Sequence, residues 1–178
     1  MLLLRLLAAG VVCCATLLLG CSRTDVSDAG NAKATATPAP TTATWLTNYQ
    51  QASDTARANQ KLLLVDFTGS DWCGWCIRLK REVFTQPEFI QYAKDNLVLL
   101  EVDFPKGKPQ SADLRRQNEQ LAMKFGIQQF PTIVIMQPDG TPIGALSYMP
   151  GGPSAFIAEL DKIKRSERAP GAVTSSSG

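Results

Sequence analysis

Histidine does not occur anywhere in the 178 residues. Zinc sites with four ligands usually combine cysteine with histidine, so this absence argues against a metal centre, and neither a metal nor an organic cofactor is expected. Aromatics are sparse, and no basic stripe is interleaved with them, which leaves nucleic-acid binding without support. A formal net charge of +2 is too small to select a partner. The late cluster Lys162, Lys164, Arg165 and Arg168 reads as the solvated face of a C-terminal helix. No internal repeat divides the chain. No acidic residue precedes Asp25, and the stretch from Ser22 to Thr44 has almost no large apolar residue.

What the first residues do contain is one early positive charge, Arg5, and then an almost unbroken apolar run to Leu19. This is the pattern of a secretory signal peptide over residues 1–20, too short and too weakly flanked to be read first as a membrane span. Residues 21–44, rich in Ala, Thr, Ser and Pro, cannot bury enough apolar surface to offset their ordering entropy and read as a flexible tether. Residues 169–178 form a similar polar tail. Between them, residues 45–168 are long enough for one domain with a real core. A monomer is expected.

Within that domain the apolar pattern alternates between helix and strand periods. Trp45, Tyr49, Ala52 and Ala56 recur at helical spacing and predict a first helix to about Asn59. Lys61 to Thr68 and Leu97 to Asp103 read as strands buried on both faces. Helices are expected from the Cys73 region to about Val83, over Pro87 to Asn96, and from Ser111, as N-cap, to Phe125-Gly126. Thr132 to Met136 and Thr141 to Ser147 flank Pro138-Asp139-Gly140, a turn that makes them an antiparallel hairpin. Pro153 opens a last helix. The expected architecture is α/β, a three-layer sandwich whose mixed central sheet has two parallel strands plus a C-terminal antiparallel hairpin, with helices on both faces.

The densest chemical signal is Asp71-Trp72-Cys73-Gly74-Trp75-Cys76, set directly after the strand Leu62-Leu63-Leu64-Val65-Asp66-Phe67. Two cysteines separated by two residues at a strand-to-helix junction can switch between dithiol and disulfide. At a helix N-terminus, unpaired backbone N–H groups and the helix dipole stabilise a thiolate at the first cysteine, the species that attacks disulfides.

With these residues in view, together with Phe130-Pro131-Thr132 further on, the domain resembles thioredoxin-like proteins over roughly Trp45 to Lys164. The run Asp66 to Cys73 looks closest to exported members and to the C-terminal domain of membrane thiol-disulfide interchange proteins. The resemblance implies a thiol-disulfide oxidoreductase in which Cys73 attacks and Cys76 resolves through a redox-active disulfide. It implies that Pro131 is cis and faces the pair, and that Trp72, Gly74, Trp75, Phe130 and Pro131 line the approach of a protein thiol or disulfide substrate. It further implies that Asp66 moves protons near Cys76. Glu101 stands where the family often has a lysine beside that aspartate, and two neighbouring carboxylates would push one pKa up. Family oxidases often carry histidine before the second cysteine; this chain has Trp75 there, which favours a reductase.

The leader ends Leu18-Leu19-Gly20-Cys21, which resembles the bacterial lipobox. That implies cleavage before Cys21, acylation of its sulfur and anchoring in a lipid bilayer. Cys13 and Cys14 would leave with the leader, so Cys73 and Cys76 would be the remaining thiols. Ser22, rather than aspartate, after the acylated cysteine favours the outer over the inner membrane. A periplasm-facing reductase needs electrons from across the membrane, so a membrane thiol-disulfide electron donor is the expected upstream partner. The rival reading is a non-catalytic tethered binding module with a purely structural disulfide, although so small a loop constrains the unfolded chain weakly.

Overall fold

A computed structural model describes residues 42–168. The expected signal peptide over 1–20, the acylated Cys21, nearly all of the 21–44 tether and the 169–178 tail lie outside the described residues.

Among the described residues, five strands and five α-helices follow one another. They are β1 (Trp45–Leu46), α1 (Tyr49–Asn59), β2 (Leu62–Thr68), α2 (Gly74–Leu79), α3 (Pro87–Asn96), β3 (Leu97–Asp103), α4 (Ala112–Lys124), β4 (Thr132–Met136), β5 (Pro142–Leu146) and α5 (Gly152–Arg168). The strands form one sheet in the order β1-β3-β2-β4-β5. β1 and β2 both run parallel to β3, whereas β4 runs antiparallel to β2 and to β5. The mixed α/β sandwich expected from the sequence is therefore present.

Two local expectations need correction. Helical spacing puts Trp45 on the first helix, but it belongs to a two-residue edge strand paired with Leu99, so the sheet has a third parallel strand. The helix starts only after Asn48, whose side chain accepts the Gln51 N–H at 2.8 Å and stops the helix from reaching back to Trp45. The Trp45 ring instead packs 5.1 Å from Phe84. The second correction concerns the cysteine helix, which does not continue as a regular α-helix to Val83. It ends at Leu79 and becomes a π-helical segment over Lys80–Phe84, closed by Thr85 N–H donating to the Lys80 carbonyl. Such widened turns occur frequently at functional sites.

Other boundaries follow from local chemistry. Ser111 caps α4 by accepting the Leu114 N–H. Gly126, at φ +62°, takes the left-handed conformation that ends that helix. Gly140, at φ +93°, completes the hairpin turn in which Asp139 Oδ1 accepts the Thr141 N–H.

All seven residues of β2 are buried, and their alternation divides the core in two. Leu62 and Leu64 pack with Leu79, Val83, Phe84, Phe89, Phe156 and Leu160 on the face covered by α2, α3 and α5. Leu63, Val65 and Phe67 pack with Ala52, Ala56, Val102 and Leu121 beneath α1 and α4. Period-two alternation assigns Asp66 to the Leu62/Leu64 face, so a carboxyl occupies a core position beneath the cysteine helix.

Candidate active site

The cysteine pair sits where the central strand leaves the sheet. After Thr68 the chain turns at Gly69, whose carbonyl accepts the N–H groups of Trp72 and Cys73. Cys73 is the N-cap residue of α2, with extended backbone, and its Sγ accepts the Cys76 N–H at 3.2 Å. Cys73 and Cys76 form a disulfide across Cα atoms 5.2 Å apart. Both cysteines are largely covered, at 7 % and 4 % relative exposure, so position rather than bulk exposure distinguishes them. Cys73 stands at the helix tip beside solvent-exposed Gly74, where an added Cβ would meet open space. Cys76 borders a cavity that opens to solvent past Lys80 and Arg81.

That cavity, of about 320 Å³, is also lined by Asp66, Thr68, Ser70, Lys80, Arg81 and Glu101. Asp66 is buried, and its Oδ1 finds no hydrogen-bond partner among the described residues. Burial pushes the Asp66 carboxyl up to about 8, and the facing Glu101 carboxylate adds to the rise, while the Lys80 ammonium opposes it. The parallel register sets Asp66 opposite Glu101. Lys80 Nζ lies 3.4 Å from Glu101 Oε2. The sequence pattern singles out Asp66 and Glu101 but not Lys80. The available signal was its place one helical turn after Cys76, which puts both on one helix face.

On the outer side, the Phe130–Pro131 peptide bond is cis and Pro131 is buried. Phe130 and Pro131 line a cleft of about 370 Å³ together with Trp75, Gln129, Ser147 and Tyr148. Ser147 Oγ, just past the end of β5, donates to the Pro131 carbonyl at 2.8 Å and ties the β5–α5 loop to this turn. Trp72 and Trp75 are exposed at 40 % and 55 %, among the few large apolar side chains that face solvent. Trp72 meets Phe130 edge-on with centroids 5.9 Å apart, and Phe130 in turn packs on Phe104 at 5.3 Å. The structure thus gathers Trp72, Trp75, Phe130 and Pro131 into one apolar border beside the disulfide.

Two supporting groups have no counterpart in the sequence reading. Asp71 accepts the N–H groups of Lys106 and Gly107 at 3.0 and 2.6 Å, and Asp103 accepts from Ser70 N–H at 2.8 Å. Trp72 Nε1 donates to the Phe104 carbonyl at 2.8 Å. These bonds bind the loop after β3 to the turn before Cys73. On the opposite flank, Arg78 lies over the rings of Trp75 and Tyr148, at 5.6 and 5.1 Å. Glu82 accepts from Arg78 and from the Tyr148 hydroxyl, each at 2.8 Å. The Arg78–Glu82 spacing of four residues was visible as a helical ion pair; Tyr148 comes from a distant loop and carried no such signal.

A family model described as a thioredoxin-like domain matches residues 49–164. The chain is similar to the disulfide bond reductase DsbH of Chlamydia pneumoniae, at 30% identity over 113 residues, covering 64% of this chain and 68% of that protein. It is also similar to the thioredoxin-related protein DsbJ of the same organism, at 37% identity over 92 residues that make up 52% of this chain and 26% of that relative. The solved structure of a DsbH oxidoreductase matches with a TM-score of 0.68 at 28% identity, covering 71% of this chain and 88% of the other.

Proposed function

From a chain that belongs to the thioredoxin-like family and is a thiol-disulfide oxidoreductase, we propose a membrane-tethered, periplasm-facing reductase of protein disulfides, acting through a Cys73/Cys76 dithiol–disulfide cycle. The observation that carries this reading is the Cys73–Cys76 disulfide at a helix tip, bordered by an apolar cleft at cis Pro131. In the reduced protein, the Cys73 thiolate attacks one sulfur of a substrate disulfide, and the departing substrate thiolate takes up a proton. Cys76 then loses its proton and attacks Cys73 Sγ, which breaks the mixed disulfide and releases the second substrate thiol. The two electrons lost by the cysteine pair have passed to the substrate, leaving the disulfide form described above.

An extended substrate segment can lie along the backbone beside Pro131, as an added strand does, with Trp72, Trp75 and Phe130 shielding the exchange from water. Asp66 exchanges the Cys76 proton. Recharging requires a dithiol donor, assigned here to a membrane thiol-disulfide transporter. The missing histidine supports the reductive direction, and the lipobox-like Leu18-Leu19-Gly20-Cys21 supports tethering through acylated Cys21, with Ser22 favouring the outer membrane.

Equilibration of the purified protein with glutathione tests the direction. A reduction potential near about −270 mV is expected, and one near about −120 mV would mark an oxidant and overturn the reductive assignment. Mass spectrometry of Cys21 from bacterial membranes tests the tether: a diacylated N-terminal cysteine is expected, and an unmodified Cys21 in a soluble product would remove the anchor.

A further inference from the structure

The cavity behind the disulfide holds more charge than the exchange reaction itself requires. Asp66 enters it from β2, Glu101 from β3, and Lys80 and Arg81 from the π-helical segment, while Cys76 closes the end nearest the disulfide. Asp103, two residues beyond Glu101 and so on the same face of β3, adds a further negative charge. The remaining lining groups, among them Trp45, Thr68 and Ser70, do not titrate in the working range. Opposite Asp66 on β4 stands Ile133, which is fully buried and offers no polar atom.

These surroundings isolate Asp66. Its Oδ1 is unpartnered among the described residues. A carboxyl in that position can take a proton from a neighbouring thiol or return one, but repeated turnover needs a way to exchange that proton with solvent. Glu101 supplies the outward end. Its side chain is 25 % exposed, it faces Asp66 across the β2–β3 register, and Lys80 Nζ holds its Oε2 at 3.4 Å. The cavity that both side chains line, of about 320 Å³ in all, has room for several water molecules.

We propose that Glu101 is a proton-relay residue for Cys76, passing protons between buried Asp66 and solvent, with Lys80 as the positioning residue that holds it at the cavity mouth. The inference rests on the reductase reading given above and adds a route for its proton. When a donor dithiol attacks Cys73, a donor–Cys73 disulfide forms as the Cys73–Cys76 bond breaks; the donor's second thiolate then displaces Cys73, so the donor leaves as a disulfide and its two electrons pass to the pair. Cys76 leaves as a thiolate and takes the proton held by Asp66. Asp66 is then reprotonated from solvent by way of Glu101. In the resolving step each transfer runs in reverse, so every proton lost by Cys76 appears in solvent.

The test follows reduction of the Cys73–Cys76 disulfide by dithiothreitol in the purified full chain, through tryptophan fluorescence, in weakly buffered solution over a range of pH. Glu101→Gln should slow reduction by about tenfold, the low end of general acid–base effects. Acetate, a small diffusible carboxylic acid, should restore much of the lost rate. The pH midpoint should fall in Glu101→Gln, because a charge that raises the Asp66 pKa is gone. It should rise in Lys80→Met, because a charge that lowers that pKa is gone. A Glu101→Gln protein as fast as wild type, a slow one that acetate leaves slow, or midpoints that move in the same direction would each overturn the relay. Failure of the wild-type disulfide to exchange with dithiothreitol would instead overturn the oxidoreductase reading itself.

Discussion

Trp75, one of the two residues between the cysteines, stacks on Tyr148 of the β5–α5 loop with ring centroids 5.0 Å apart. Arg78 touches both rings, and Glu82 fastens Arg78 and the Tyr148 hydroxyl with its two carboxylate oxygens. The pair forms one wall of the cleft beside Pro131 and is held in place by charge as well as by packing. The Arg78 hydrogen bond, followed by that from Tyr148, holds the Glu82 carboxyl below the usual carboxylate range, so the network stays closed at neutral pH.

Tyr148→Phe keeps the ring and removes only the hydroxyl. The wall loosens while the cysteines are untouched, so KM for a peptide disulfide should rise by about two- to fivefold with little change in kcat. Steady-state kinetics with one peptide carrying an apolar residue beside its cysteine, and one carrying a charged residue there, measure this directly. An equal fall in kcat for both peptides would mean that Tyr148 supports the cysteines rather than the substrate.

Asp71 plays the corresponding part on the other flank, where its carboxylate gathers the N–H groups of Lys106 and Gly107. Those backbone bonds, Lys106 first and then Gly107, hold its carboxyl below the ordinary range. The stabilisation is therefore present above the unfolded carboxyl pKa and is lost as pH falls through the depressed folded value. Asp71→Ala should free the loop after β3 at neutral pH, visible as faster amide hydrogen exchange over residues 104–108 and a red-shifted Trp72 emission. Lowering the pH of the wild-type protein should reproduce the same loosening in weaker form.

Asp66 has the opposite sign. Its carboxyl rises from 3.8 to about 8 on folding, with burial as the main cause, so the folded state holds a proton that the unfolded state releases. The folded protein is therefore favoured fully below about pH 4, and stability falls as pH rises toward 8. Asp66→Asn removes this dependence. In the oxidised protein it should raise thermal stability at pH 8, by on the order of 3 kcal/mol, and change little at pH 4. Calorimetry at the two pH values decides it. A mutant destabilised equally at both would show that the carboxyl makes hydrogen bonds that outweigh its burial.

Phe156 anchors α5 against the Leu62/Leu64 face of the sheet, the same face that carries Asp66. It is fully buried and meets Phe84 edge-on at 5.6 Å and Phe89 at 6.1 Å. Phe156→Ala leaves a cavity between α3, α5 and the π-helical segment, and should cost about 3–5 kcal/mol in guanidinium unfolding of the oxidised protein. A loss below about 1 kcal/mol would show that the three rings collapse into the space.

What the sequence made legible was whatever local chemistry specifies. Leu62 to Thr68 and Leu97 to Asp103 read as buried strands because β-type apolar runs end at turn residues. Ser111, Gly126 and Gly140 marked boundaries through capping and positive φ. The cysteine pair was legible because its spacing and its place after a strand carry their own chemistry. The edge strand at Trp45 was not, since its pairing with Leu99 spans more than fifty residues and leaves only two residues of pattern. The same holds for Tyr148 and for the Asp71–Gly107 bond, which exist only once the loops meet. The π-helical turn at Lys80 likewise has no periodic signature, although it places the cation that faces Glu101.

The two cysteines should separate sharply by mutation although their exposures are nearly equal. Cys73 caps the helix tip beside exposed Gly74, whereas Cys76 lines the cavity that holds Asp66. Cys76→Ser leaves Cys73 able to attack a substrate disulfide but removes the sulfur that would release it, so mixed disulfides should accumulate. Cys73→Ser leaves a thiol turned inward and should trap few or none. Non-reducing electrophoresis of envelope fractions, followed by mass spectrometry of the reducible bands, distinguishes the two. Equal trapping by both variants would mean that Cys76 reaches substrates directly, and the assignment of attacking and resolving sulfurs would have to be reversed or abandoned.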